Sequence, residues 1–154
     1  MMTDVTKATI SKQFVLAGRA SFVTENLKGE SITISVKKAE KPKINPKTGA
    51  PYPLSYFIKL RHQNESWKYV GILQEKDFTI RLTAKSEFTD ADIPYKVVSW
   101  VLGIIFSGED MPDGYRLEHT GRCCKCGKML RDDESIRLGI GPECIKAFPN
   151  WGQE

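Results

Sequence analysis

Residues 55–73 read SYFIKLRHQNESWKYVGIL. Two runs rich in aromatic and β-branched residues, SYFIKLR (Ser55–Arg61) and WKYVGIL (Trp67–Leu73), flank the polar segment HQNES. This pattern predicts a β-hairpin. With Arg61 opposite Trp67, Lys59 faces Tyr69 and Ile58 faces Val70. Ile58, Leu60, Val70 and Ile72 then line one face, which must be covered. Phe57, Lys59, Arg61, Trp67 and Tyr69 line the other, and a slip of one residue would exchange the two.

Working outward, SITISVK (Ser31–Lys37) alternates with Ile32, Ile34 and Val36 on one side, which predicts another strand. Gln13–Ala17 and Ala20–Thr24 read as short strands around Gly18-Arg19, and Phe78–Ala84 as a further one. Between Lys37 and Pro53 lie four prolines, five lysines and no periodicity, so residues 37–53 are expected to be a long, extended, basic loop. Beyond the strands the period changes. Asp92 can cap a helix and Pro94 suits its first turn. Val97, Val98, Val101, Leu102 and Ile105 form a stripe widened by Trp100, Ile104 and Phe106. A helix at about 92–107, apolar almost all round, is expected to cover the sheet. The predicted fold class is α+β: an antiparallel β-sheet over residues 10–85 under one long apolar helix, then a small zinc-ligated knuckle-plus-helix module. The domains expected are 1–110 and 111–154.

The 154 residues carry a net charge of +4, unevenly spread. Residues 1–77 hold 13 Lys/Arg against 7 Asp/Glu, and residues 78–154 hold 10 against 12. That asymmetry fits a polyanionic partner without requiring one. The N-terminus, MMTDVTKATISK, has no apolar run of the signal-peptide kind. The most apolar stretch, Val97–Phe106, is too short to span a bilayer. A soluble, cytoplasmic protein without membrane association is expected, and four clustered cysteines in such a protein point to metal before disulfides.

All four cysteines lie in HTGRCCKCGKMLRDDESIRLGIGPEC (His119–Cys144). Cys123 and Cys126 form a C-x-x-C-G knuckle, in which Gly127 permits a left-handed turn and two intervening residues let both thiolates meet one ion. Cys124 paired with Cys126 would leave only one residue between ligands, so it is read as a non-ligand. GIGPECIKAF reads as a glycine turn and a short helix with Cys144 in its first turn, where the helix dipole favours a thiolate. His119 is taken as the fourth ligand, with Cys124 as the competing choice. The set His119, Cys123, Cys126 and Cys144 suits one tetrahedral Zn²⁺, and four protein ligands make a structural rather than a catalytic site. A redox C-x-x-C would open a helix after a strand, a setting not visible here.

The same stretch resembles the small zinc-binding domain found at the C-terminus of many uncharacterised bacteriophage and prophage proteins. The resemblance rests on Cys123, Cys126, Gly127, Leu130, Ser135, Gly139, Gly141, Pro142 and Cys144. Lys128 stands where that domain commonly has arginine. A histidine just before the knuckle is frequent there, which supports His119. The resemblance implies a mobile-element origin, hence the cytoplasm of a bacterial host, and no particular activity.

Arg122, Lys125, Lys128 and Arg131 surround the knuckle. Such side chains either meet phosphate or offset the negative charge of a thiolate-rich metal centre. Lys59, Arg61, Trp67 and Tyr69 interleave cations with aromatic rings on one strand face, as stacking on single-stranded bases requires, although such pairs also stabilise ordinary sheets. No catalytic constellation is visible. Asp132-Asp133-Glu134 reads as an exposed acidic turn rather than a Mg²⁺ site, Ser135 as a cap or turn residue, and His62 as a turn residue without a partner. The chain is expected to be a non-enzymatic accessory protein that binds nucleic acid, single-stranded rather than duplex. The alternatives are a protein-interaction module inhibiting a host defence or replication factor and, less favoured, a hydrolase or nuclease.

Overall fold

The structure, a computed structural model, describes residues 10–151; the sequence reading of Met1–Thr9 lies outside them. In chain order come α1 (Lys12–Val15), β1 (Arg19–Glu25), β2 (Ser31–Lys38), β3 (Tyr56–His62), β4 (Lys68–Gln74), β5 (Thr79–Arg81), α2 (Ile93–Ser107), β6 (Arg116–His119), α3 (Asp133–Leu138) and a short 3-10 helix at Cys144–Ala147. The fold is mixed α and β. One antiparallel sheet has the order β5-β4-β3-β2-β1-β6.

The first five strands form a meander, in which short turns join β1 to β2, β3 to β4 and β4 to β5, while the longer segment 39–55 joins β2 to β3. Asn26 makes the β1–β2 turn by accepting the N–H groups of Lys28 and Glu30 on its side-chain oxygen at 2.9 and 3.0 Å. β6 instead lies beyond β1, at the opposite edge from β5. The chain must therefore cross the sheet between them. Fifteen helical residues at about 1.5 Å each span roughly 22 Å, close to the roughly 24 Å of five strand spacings. Helix α2 supplies that crossing. It starts after Asp92, whose carboxylate accepts the Thr89 N–H at 2.8 Å, and ends at Gly108 with φ 76°. Only Val98, Val101, Leu102 and Ile105 are buried, while Trp100 is 41% and Ile93 75% exposed. The helix is thus amphipathic in use. The expectation of burial on most sides fails because, among the described residues, the helix buries one stripe and leaves Ile93 and Trp100 on its other side exposed.

Two other expectations are corrected. Gln13–Ala17 falls largely within α1 and is not a strand: Ser11 accepts the Phe14 N–H at 3.3 Å and caps a single helical turn. A four-residue apolar run (Phe14–Ala17) does not distinguish a buried turn of helix from a strand. The basic loop is not simply extended. Ile44 bridges Pro51, and the Asn45 N–H donates to Ala50 O at 2.9 Å, making a small exposed hairpin.

In the central hairpin Lys59 does oppose Tyr69, but Ile58 opposes Gly71 rather than Val70, because a bulge interrupts the register between Ile58 and Lys59. The bulge moves Leu73 into the core (3% exposed) in place of the expected Ile72. Gly71 makes this possible. A Cβ there would lie 2.6 Å from Arg81 O, so only glycine lets β5 come this close.

The core joins the inner faces of the strands (Phe22, Ile34, Val36, Ile58, Leu60, Val70) with α2 and with Phe14 and Val15 of α1. Cys123, Cys124 and Ile140 belong to the same core. Together with β6, they tie residues beyond 110 into the sheet.

Candidate metal centre and the outer sheet face

The C-terminal segment is built from tight turns. The Gly127 N–H donates to Cys123 O at 2.9 Å and the Cys123 N–H to Lys128 O at 2.8 Å, closing the knuckle with Gly127 at φ 82°. Asp132 caps α3 by accepting the Ser135 N–H at 3.0 Å, and this holds its carboxyl below the usual carboxylate range. Gly139 ends α3 at φ 75° and turns the chain back toward the knuckle. Ile145 N–H then reaches Gly141 O at 3.0 Å, starting the 3-10 turn that carries Cys144.

These turns bring the Sγ atoms of Cys123, Cys126 and Cys144 within 4.8 Å of one another. A tetrahedral ion with sulfur ligands at about 2.3 Å sets them roughly 3.8 Å apart, so the cluster needs only a small contraction to share one ion. Its electrostatics point the same way. Burial opposes ionisation of Cys123, but the N–H groups of Cys126, Gly141 and Lys125 more than offset this, and the thiol sits below its ordinary value. The Gly141 N–H lies 3.4 Å from the Cys123 sulfur. Cys144 is pushed up to about 12 by burial and by the Cys126 and Cys123 sulfurs beside it. Cys144 is held back from ionising by the sulfurs beside it, and a divalent cation among them would remove that conflict. The three cysteines fit a metal ion.

Cys124 is fully buried in the core, and burial followed by the charge of Cys123 raises its thiol far above the ordinary range. Its backbone is the tie between regions. Its N–H donates to Gly139 O at 3.0 Å, and its carbonyl accepts the Arg19 N–H at 2.7 Å. Gly18 makes room for this approach: its φ is 140°, and a Cβ there would stand 3.3 Å from Lys125 O.

His119 is not brought into the cluster. It sits on the inner face of β6, opposite Phe22 and 6.2 Å from the Phe14 ring. Its Nδ1 accepts the Gly121 N–H at 2.9 Å and its Nε2 meets Ile136 O. Those partners suit the neutral tautomer protonated at Nε2. To ligate an ion, the ring would have to release one of them.

Around the knuckle, Lys125, Lys128 and Arg131 are exposed, and Arg122 donates to Gly127 O at 3.2 Å. Asp133 and Glu134 lie in the first turn of α3, Ser135 is buried behind them, and His62 ends β3 opposite Ile32.

The other residues singled out lie on the outer sheet face. Arg61 stacks on Trp67 with its guanidinium carbon 4.9 Å from the ring centre, and its buried Nε has no hydrogen-bond partner among the described residues. Phe57 and Tyr69 approach to 6.3 Å between centroids. Phe57, Lys59, Trp67 and Tyr69 line a concavity of about 600 Å³ together with Ser35, Lys37, Lys38, Ala39 and Glu40. The last five were not singled out as site residues. Pairing Ala20–Thr24 with Ser31–Lys37 around the Asn26 turn would have found Lys37, and Arg19 beside it, on this face.

Residues 118–148 match the model of DUF6011, a family of unknown function. The match begins in β6 and runs through the knuckle, α3 and the 3-10 turn, leaving most of the sheet outside it. No curated protein and no solved structure matches the chain. Among the described residues no helix is long and apolar enough to cross a membrane.

Proposed function

We propose that this protein binds single-stranded nucleic acid across the outer face of its sheet, with the C-terminal module as a basic flank held together by one structural Zn²⁺. The observation that carries the reading is the outer concavity, where three aromatic rings (Phe57, Trp67 and Tyr69) alternate with Lys37 and Lys59. Rings on an open sheet face offer stacking surfaces to bases of any sequence, and the cations between them meet phosphates. Arg61 adds a guanidinium already flattened against Trp67. Lys125, Lys128 and Arg131 extend the positive surface at the module, beside Arg122.

Zinc is the ion we assign to Cys123, Cys126 and Cys144, because three thiolates suit a borderline-soft cation with tetrahedral preference. It supplies cross-linking of three turns that have little core of their own. A module from a mobile genetic element fits the resemblance of residues 119–144.

The test is binding of short oligothymidylate at several salt concentrations. Affinity should fall as salt rises, through counterion release. Trp67→Ala should weaken binding by about 1–3 kcal/mol with little change in salt slope, whereas Lys125→Glu with Lys128→Glu should flatten the slope. Absence of binding to any oligonucleotide at low salt by zinc-loaded protein would end this reading.

A second reading, a protein-interaction module acting on a host factor, draws on a different surface. Ile93 and Trp100 are exposed beside Pro94, Val97 and Tyr115 along a cleft of about 390 Å³. Stoichiometric capture of one protein that Trp100→Ala abolishes, without oligonucleotide binding, would favour it.

A further inference from the structure

The hairpin face and the basic knuckle are separate patches unless something joins them. Resting on the nucleic-acid reading, we infer that Arg19 and Lys37 join them into one continuous phosphate track, and that Glu40 occupies Arg19 until a phosphate displaces it.

Register puts these residues in line. Arg19 opposes Lys37 across β1 and β2, and Lys37 opposes Phe57 across β2 and β3. Their neighbours along the strands, Ala20, Val36 and Ile58, are buried, so Arg19, Lys37 and Phe57 share the outer face. Lys37 lies in the wall of the concavity. Arg19 lies at the other end of the row, against the knuckle. Its N–H donates to Cys124 O at 2.7 Å, and its Cδ stands 3.6 Å from where a Cβ on Gly127 would be. The Arg19 side chain thus runs alongside the Gly127 turn of the knuckle.

The opposite end of β1 lacks this character. There Glu25 and Glu118 both pair with Arg116, which leaves an excess of one negative charge. A polyanion leaving the concavity is therefore drawn along the Arg19 end and turned away from the Glu25 end.

Glu40 is the second component. Its carboxylate lines the concavity and meets Arg19 Nη2 at 3.5 Å, with both side chains well exposed. A long, solvated pair of this kind is weak. A phosphate presents a comparable acceptor to the same guanidinium and competes for it on equal terms. Glu40 thus acts on the track by competing for Arg19, which makes it a brake on loosely held anions rather than a structural partner.

The experiment uses the full chain and fluorescent oligothymidylate, with binding followed by anisotropy across a salt series. Zinc content and circular dichroism report on the fold of each variant. Arg19→Gln with Lys37→Gln should reduce the salt slope by about 1.4, at roughly 0.7 per lost phosphate contact on a single strand. Glu40→Gln should tighten binding by roughly two- to fivefold, and the same change in an Arg19→Gln background should do nothing. If Trp67→Ala weakens binding but the Arg19/Lys37 variant binds as the parent does, the track is overturned while the hairpin reading stands. A Glu40→Gln gain that persists without Arg19 overturns the pairing role. Failure of the parent protein to bind at all overturns both.

Discussion

The sheet and the cysteine-bearing segment beside it solve the same problem by different means. The sheet has an inner face of large apolar side chains, with Phe22, Ile34, Ile58, Leu60 and Val70 all inaccessible to solvent under α2. Between Gly121 and Cys144 the buried side chains are two cysteines, Ser135 and Ile140. Burial at about 25 cal/mol per Å² holds the first together. The second buries few apolar side chains of its own, and leans on backbone turns, on its neighbour and on three cysteines placed so that they could share an ion. Gln13 of α1 donates to Asn150 O at 3.1 Å, and Arg19 holds Cys124. A segment without a core can be stable if its fastenings are few, short and strong. The consequence is that it fails all at once when one is removed.

The largest effect should follow from removing such a fastening. Cys126→Ser, or chelation of the parent protein, should release the ion and unfold residues after about 120, since structural zinc sites of this type contribute on the order of 10 kcal/mol. Hydrogen exchange should show α1 loosening with the module, because Gln13 loses its contact with Asn150, while β2 to β4 stay protected. Equal loss of protection in β3 and β4 would mean that the two regions are not held by different means.

The converse change acts on the sheet. Gly71→Ala forces a methyl group to within 2.6 Å of Arg81 O. It should cost about 1–3 kcal/mol of stability, measured by urea denaturation, with metal content unchanged at one ion per chain. Loss of the ion in this variant would show the sheet and the centre to be one cooperative unit.

The smallest effect sharpens the boundary of the centre itself. His119→Ala removes a ring held between Gly121 and Ile136. With cobalt in place of zinc, the variant should retain one ion and its visible absorption should keep the parent's band positions. A shift of those bands would put His119 among the ligands.

Much of this was legible in the residues. The alternation of Ser31–Lys37, the composition of the hairpin and the cap-to-glycine span of α2 are local signals, and the elements form where those signals lie. The three cysteines converge as C-x-x-C spacing and a glycine-proline turn require. Illegible features depend on partners distant in the chain. Alternation through Val70 and Ile72 points both inward, and only the approach of Arg81 to Gly71 turns Ile72 out. Gly71 was the available clue, since glycine within a strand marks a bulge or a close approach. His119 carries a side chain suited to metal, but its two backbone partners, in the turn at Gly121 and in α3 at Ile136, are placed by geometry that no spacing rule specifies. No strand is expected at RLEH (Arg116–His119), because nothing local says that the first strand lacks a neighbour.

That last pairing sets a timetable. β2 to β5 can zip up as hairpins while the chain is still emerging from the ribosome. The free edge of β1 must wait for residues almost a hundred positions downstream, since Phe22 is opposed by His119. During synthesis this edge, with its run of unpaired amides, is open to any other extended chain. Closure of a contact so remote in sequence is also expected to be slow. A ribosome pausing within the cysteine stretch would thus hold the nascent protein at its most aggregation-prone stage, with five strands formed and the last not yet in reach.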